Sequence, residues 1–164
     1  DPPRFEQLAK LRTGGGANPA TYAGLYSAEL QQSAYPDIEP VSMDVPPAKA
    51  FDEVLKLVQR RKWTIIDERP PQAPRNIGRI EAVARTPIMG FREDVAIRVV
   101  PDAEGARVDI RSASRYFEHD LGTNAARVTK LIDDLNDMAD AAAKPARKPP
   151  TPAKVQTSKG PAKR

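Results

Sequence analysis

The chain has 164 residues, room for one ordinary domain, and its hydrophobic share of 40% and charged share of 29% are those of a globular protein. It has no cysteine and one histidine, which excludes disulfides, thiolate zinc sites, iron–sulfur clusters, a cysteine nucleophile and a histidine-rich metal site. The formal charge of +4 comes from residues 141–164, which hold seven cations and no acid; the remaining 19 cations face 22 acids, so residues 1–140 carry a net charge of −3.

Residues 1–37 read as an irregular arm with two short helical pieces, at 5–11 and about 22–32, because Gly14, Gly15 and Gly16 and then Asn18 and Pro19 interrupt any continuous helix. From Val41 the apolar residues alternate (Val41, Met43, Val45) as in a half-buried strand, and Pro46 and Pro47 end it while pre-setting a helix start. A helix is expected over 47–61, with Phe51, Val54, Leu55 and Val58 forming one apolar stripe. Burying those four side chains is worth about 6–12 kcal/mol before entropy, so this helix is docked on a core.

Residues 63–67 read as the next strand, and the proline-laden stretch 69–77 as a surface loop. Three further segments alternate with period two, marked by Ile80, Ala82 and Ala84, by Val95, Ile97 and Val99, and by Val108 and Ile110. A closing helix follows, with Asp120 or Thr123 as N-cap and Val128, Leu131, Ile132, Leu135 and Met138 on its buried face. Residues 141–164 lack the apolar content to offset ordering entropy and are expected to form a disordered basic tail rich in Pro, Ala and Lys. No segment approaches the roughly 18 consecutive apolar residues of a spanning helix. A start at Asp1 without methionine suggests a mature or trimmed fragment, soluble as given.

The expected fold is therefore α+β: a mainly antiparallel sheet of four to five strands with two helices on one face, in the order β-α-β-β-β-β-α. One domain spans 38–140, after the arm and before the tail.

Register follows from parity. With Val95, Ile97 and Val99 facing the helices, the opposite face receives Arg79, Glu81, Arg85, Arg98, Asp109, Arg111 and Arg115. Across the turn at 102–105, Arg98 opposite Asp109 is favoured over Arg98 opposite Arg107, a like-charge clash. The same reasoning upstream sets Glu81 opposite Arg98 and Arg85 opposite Asp94, with 86–93 as the connecting loop. Glu81, Arg98 and Asp109 would then form a row across three strands. That row is either a solvated ladder of ion pairs or, given its arginine surplus, a surface that binds an anionic or polar ligand under the N-terminal arm.

Arg115, Asp120, Asn124 and Arg127 are expected to gather where the last strand meets the last helix, as capping groups or as part of a site. In the loop after Pro87, Ile88, Met89 and Phe91 either tuck over the sheet end or dock a lipid or partner. A hydrolase would need His119 to activate Ser112 or Ser114 with Asp120 behind it, but alternation turns both serines toward the helices and no Gly-x-Ser-x-Gly elbow is present. The acidic pairs Glu93-Asp94 and Asp133-Asp134 are adjacent in sequence, point different ways and make no carboxylate dyad. The tail's cations have no interleaved aromatics, so no specific nucleic-acid partner is expected. No metal or other cofactor is expected either.

The segments Gly78-Arg-Ile-Glu-Ala82, Gly90-Phe-Arg-Glu-Asp-Val-Ala-Ile-Arg98, Val108-Asp-Ile-Arg-Ser-Ala-Ser-Arg115 and Asp120-Leu-Gly-Thr-Asn-Ala-Ala-Arg127, preceded by Ala34-Tyr-Pro-Asp-Ile-Glu-Pro40, resemble the bacterial domain of unknown function 1499 family over about residues 34–138. The resemblance implies no established activity. It implies an envelope location, on the periplasmic side, and a hydrophobic segment ahead of Asp1. Where members often carry glycine after the Ser-Arg motif, this chain has Tyr116 and Phe117. The resulting expectation is a non-enzymatic, envelope-associated domain that binds a protein partner or small anionic ligand through the charged face or the loop at 87–91. The alternative is a hydrolase-like enzyme using the Arg/Asp/Glu cluster on an anionic substrate.

Overall fold

The computed structural model describes residues 1–117 and 120–143. Two short helices in the arm, α1 (Gln7–Lys10) and α2 (Leu25–Ala34), precede strand β1 (Val41–Met43), helix α3 (Pro47–Arg60), strands β2 (Thr64–Arg69), β3 (Gly78–Arg85), β4 (Arg92–Asp102) and β5 (Gly105–Ser114), and helix α4 (Thr123–Ala143). The strands form one antiparallel sheet in the order β1-β5-β4-β3-β2. Strands β2 to β5 are a meander, and α3 carries the chain across the sheet from one edge to the other.

The core follows the expected parity. Ile80, Ala82, Val95, Ile97, Val99 and Val108 turn toward Phe51, Val54, Leu57 and Val58 of α3 and toward Val128, Leu131, Ile132 and Leu135 of α4. Pro46 takes the N-cap position of α3 and Pro47 opens it, where a missing N–H costs nothing. Strand β2 bulges between Ile65 and Asp67, which shifts its pairing on β3 by one residue. At the β4–β5 turn, formed by Ala103 and Glu104, a side chain on Gly105 would lie 2.3 Å from the Met43 carbonyl oxygen. Only glycine lets β1 come alongside there.

The β4–β5 register is the expected one, with Arg98 opposite Asp109. The β3–β4 register is not. Arg79 stands opposite Arg98, Glu81 opposite Ala96 and Arg85 opposite Arg92, so the row of Glu81, Arg98 and Asp109 does not exist. The shift by two keeps every residue on its predicted face and shortens the loop to residues 86–91, closed by the Thr86 N–H on the Phe91 carbonyl and the Phe91 N–H on Thr86 Oγ1. The like-charge opposition of Arg79 and Arg98 is relieved from outside the sheet: Glu6 of the arm pairs with Arg79, and Asp109 pairs with Arg98.

Helix α4 runs on to Ala143, three residues beyond the expected domain end. The rest of the expected tail, 144–164, lies outside the described residues.

Candidate functional site

The charged face does not stand open. Phe5 and Leu8 of the arm lie on it against Val83 and Ala96, all four buried, with Ala9, Ala20 and Ala113 packed around them. Besides the ion pairs of Glu6 with Arg69 and Arg79, three sets of charges fasten the arm down. Glu81, 2% exposed, accepts the backbone N–H groups of Glu6 and Leu8 at 2.6 Å each, satisfying donors that the start of α1 leaves without helical partners. Asp94, fully buried, takes Arg12 Nε at 2.9 Å from the arm and Arg115 Nη2 at 2.6 Å from the end of β5. Arg98 binds Asp109 at 2.7 Å and donates to the Asp1 carbonyl at 2.6 Å, while Arg107 takes the other Asp109 oxygen at 3.0 Å.

Electrostatics agree with this geometry. Hydrogen bonding from Arg69, with Arg79 beside it, holds the Glu6 carboxyl below its ordinary range despite some burial. Burial pulls the Arg12 guanidinium below its usual value, outweighing the support of Asp94. Two guanidinium groups, those of Arg12 and Arg115, thus share the one buried carboxylate of Asp94.

A second cluster sits on the helix side of the same strand ends. Glu93 accepts from Arg127 and from the Thr123 hydroxyl of α4. Ser112 Oγ donates to Asn124 Oδ1 at 2.6 Å, and Asn124 Nδ2 donates to Ser114 Oγ at 3.0 Å and to Asp120 Oδ2 at 2.8 Å. Asp120 also accepts the backbone N–H groups of Asn124 and Gly122, the capping role expected of it. Burial works to raise its carboxyl, but those hydrogen bonds prevail and hold it below the ordinary value. Both serine hydroxyls are thus tied to Asn124. His119, the base a hydrolase would need, lies outside the described residues.

The sequence-predicted residues therefore separate into two groups. Glu81, Arg98, Asp109, Arg111 and Arg115 face the arm; Asp120, Asn124 and Arg127 form the helix-side cluster. Sequence reasoning missed Glu93, Asp94 and Arg12. Parity carried the signal for the first two: Glu93 shares the facing of Val95 and Asp94 that of Arg98, so two adjacent acids enter opposite sides of the sheet, each buried and each answered by arginine.

At the sheet end near these clusters, apolar side chains stand in the open. In the β3–β4 loop Ile88 is 93% exposed, and Met89 and Phe91 are exposed as well, so this loop does not tuck over the sheet. Phe91 meets Phe117 at 4.9 Å between ring centres. Leu121, just before α4, is 95% exposed. Phe117 and Leu121 both sit in left-handed backbone, with φ of 72° and 51°, a conformation in which bulky residues are strained. Arg85 and Arg92, paired at the mouth of the loop, are exposed beside it.

Among the described residues no group of His, Cys, Asp and Glu side chains is placed to hold a metal ion, and no helix is long and apolar enough to cross a membrane.

Fold and site together define a small α+β domain whose charged sheet face is occupied by its own N-terminal arm. A family model described as Protein of unknown function (DUF1499) matches residues 1–135, and the chain belongs to that family. The matched range takes in the arm as well as the sheet it covers. Comparison with curated proteins and with solved structures returned no match.

Proposed function

We propose that this domain is a non-enzymatic binding module of the bacterial cell envelope, and that it docks on the surface of an anionic bilayer through the tip formed by Ile88, Met89, Phe91, Phe117 and Leu121. The observation that carries this reading is the exposure of two large aliphatic side chains, Ile88 and Leu121, at one end of the sheet, one of them in strained backbone. Convex apolar loops flanked by cations suit a fluid interface, where side chains sink among acyl chains while Arg85 and Arg92 meet headgroup phosphates. The charged face, with its arginines turned to the arm, serves as the internal support of that surface.

The test is cosedimentation with vesicles of phosphatidylglycerol and phosphatidylcholine. Each fully buried aliphatic side chain is worth about 1.5–3 kcal/mol, so the double variant Ile88→Glu/Leu121→Glu is expected to weaken binding by about 100-fold or more. Removing Arg85 and Arg92 is expected to weaken it about fivefold each, and only on anionic vesicles. Binding that survives the double variant, or no binding to vesicles at all, refutes the proposal; in the latter case a protein partner for the tip becomes the reading to pursue.

A further inference from the structure

Strand β1 pairs only with Ala106, Arg107 and Val108 of β5, whereas β4 pairs with β5 along its whole length. Beyond Val108, among the described residues, no strand pairs with β5 on the side away from β4, and an isolated bridge joins Ala17 to Tyr116 past the strand's end. A groove fills the gap, made of two adjoining cavities of about 450 Å³ and 280 Å³. Its floor is apolar, from Ile110, Val128 and Ile132, and Tyr22 and Tyr35 line both cavities. Helix α2 forms the roof without burying any of its own residues, and it begins after Gly24 in left-handed backbone.

One end of the groove carries Arg111, and Asp120, whose oxygens are taken up by Gly122 and Asn124, stands on the same wall. Arg111 lines the smaller cavity, with its guanidinium 4.2 Å from the Phe5 ring and 5.5 Å from the Tyr22 ring. Its hydrogen bonds go to the carbonyls of Pro3 and Ala20, and among the described residues no carboxylate pairs with it. Burial and the nearby Arg12 both act against its charge. On this part of the face Arg12 and Arg115 share Asp94, and Arg111 has no carboxylate of its own. A half-buried guanidinium held only by neutral carbonyls has unused donors in a fork that fits an oxyanion. Asp1, Glu39 and Asp109 line the larger cavity, which Arg111 does not reach, so the guanidinium belongs to the smaller cavity alone.

The geometry points to a binding site for a single-chain anionic amphiphile, its carboxylate or phosphate head on Arg111 and its hydrocarbon chain along Ile110, Val128 and Ile132 beneath α2. This site is separate from the apolar tip, so failure of vesicle docking leaves it standing, and the reverse holds too.

The experiment is isothermal titration of the chain with dodecanoate, dodecyl phosphate, dodecyltrimethylammonium, acetate and inorganic phosphate, the long-chain probes kept below their micelle thresholds. Saturable one-to-one binding of dodecanoate, dodecyl phosphate or both is expected, and the stronger of the two identifies the head. Arg111→Gln removes a charge-assisted contact and is expected to weaken binding about 10- to 100-fold. Ala28→Trp fills the roof from a helix with no buried residues, so it leaves the core intact and is expected to abolish binding. Equal binding of the ammonium probe, equal binding of acetate or inorganic phosphate, or dodecanoate and dodecyl phosphate affinities untouched by both variants would each overturn the inference.

Discussion

Replacing Glu81 with glutamine alters a single atom at the point where the arm is fastened to the sheet. The native carboxylate accepts two backbone N–H groups, from Glu6 and Leu8, both at 2.6 Å. Each is a charge-assisted hydrogen bond, worth about 1.5–3 kcal/mol. Glutamine keeps one acceptor oxygen but turns an NH₂ toward the second N–H, so one bond is lost and the other becomes neutral. The expected net loss is about 2–3 kcal/mol for the arm, since partial relaxation recovers some of the gross sum. Native-state hydrogen exchange reads this locally: protection of the Glu6 and Leu8 amides should fall about 30- to 150-fold, at about 1.4 kcal/mol per decade. The Ile97 amide of β4, in the helix-covered core, should keep its protection. Unchanged protection at Glu6 and Leu8, or an equal loss at Ile97, would refute the view that this carboxylate holds a locally stable arm.

Further expectations follow from the same contacts. Gly105→Ala places a methyl group against the Met43 carbonyl and should lower stability by about 1–3 kcal/mol in urea unfolding. Arg127→Ala leaves the buried Glu93 without its cation and should cost about 3–5 kcal/mol by the same measurement. Because the folded carboxyl of Glu6 titrates below its ordinary value of 4.5, its contribution is present above that pH and is lost as the pH falls through the lower folded value. Thermal unfolding from pH 7 to pH 3 should therefore show a fall in melting temperature at the acid end that is smaller in Glu6→Gln.

Much of the fold was legible because period-two alternation survives in every long strand. Val95, Ile97 and Val99 against Arg98 set both faces, and a register error of two could not disturb them. The error itself came from treating charge pairing between strands as closed. Arg79 and Arg98 stand opposite each other because Glu6, more than 70 positions away in sequence, supplies the missing carboxylate. The sequence allowed the arm to lie over the charged face, but the contacts that seat it there were hidden by the same blind spot. Phe5 and Leu8 look like two apolar residues on a fragment of helix, and only tertiary contact shows that they seat on Val83 and Ala96. Ile88, Met89 and Phe91 were recognised as apolar residues on a connection, but whether they tuck or project depends on the six-residue loop that the true register leaves. Phe117 was not legible as a backbone feature: it adopts the left-handed conformation that glycine favours, and nothing in its own side chain announces it.

The most direct measurement uses the absence of cysteine, which lets a single introduced thiol report alone. Ile88→Cys, Leu121→Cys and Leu30→Cys, each carrying a polarity-sensitive dye, would be mixed with anionic vesicles. A blue shift at positions 88 and 121 with none at position 30 on α2 is the predicted result. No shift at 88 and 121, or a shift at 30 alone, would contradict docking through the tip.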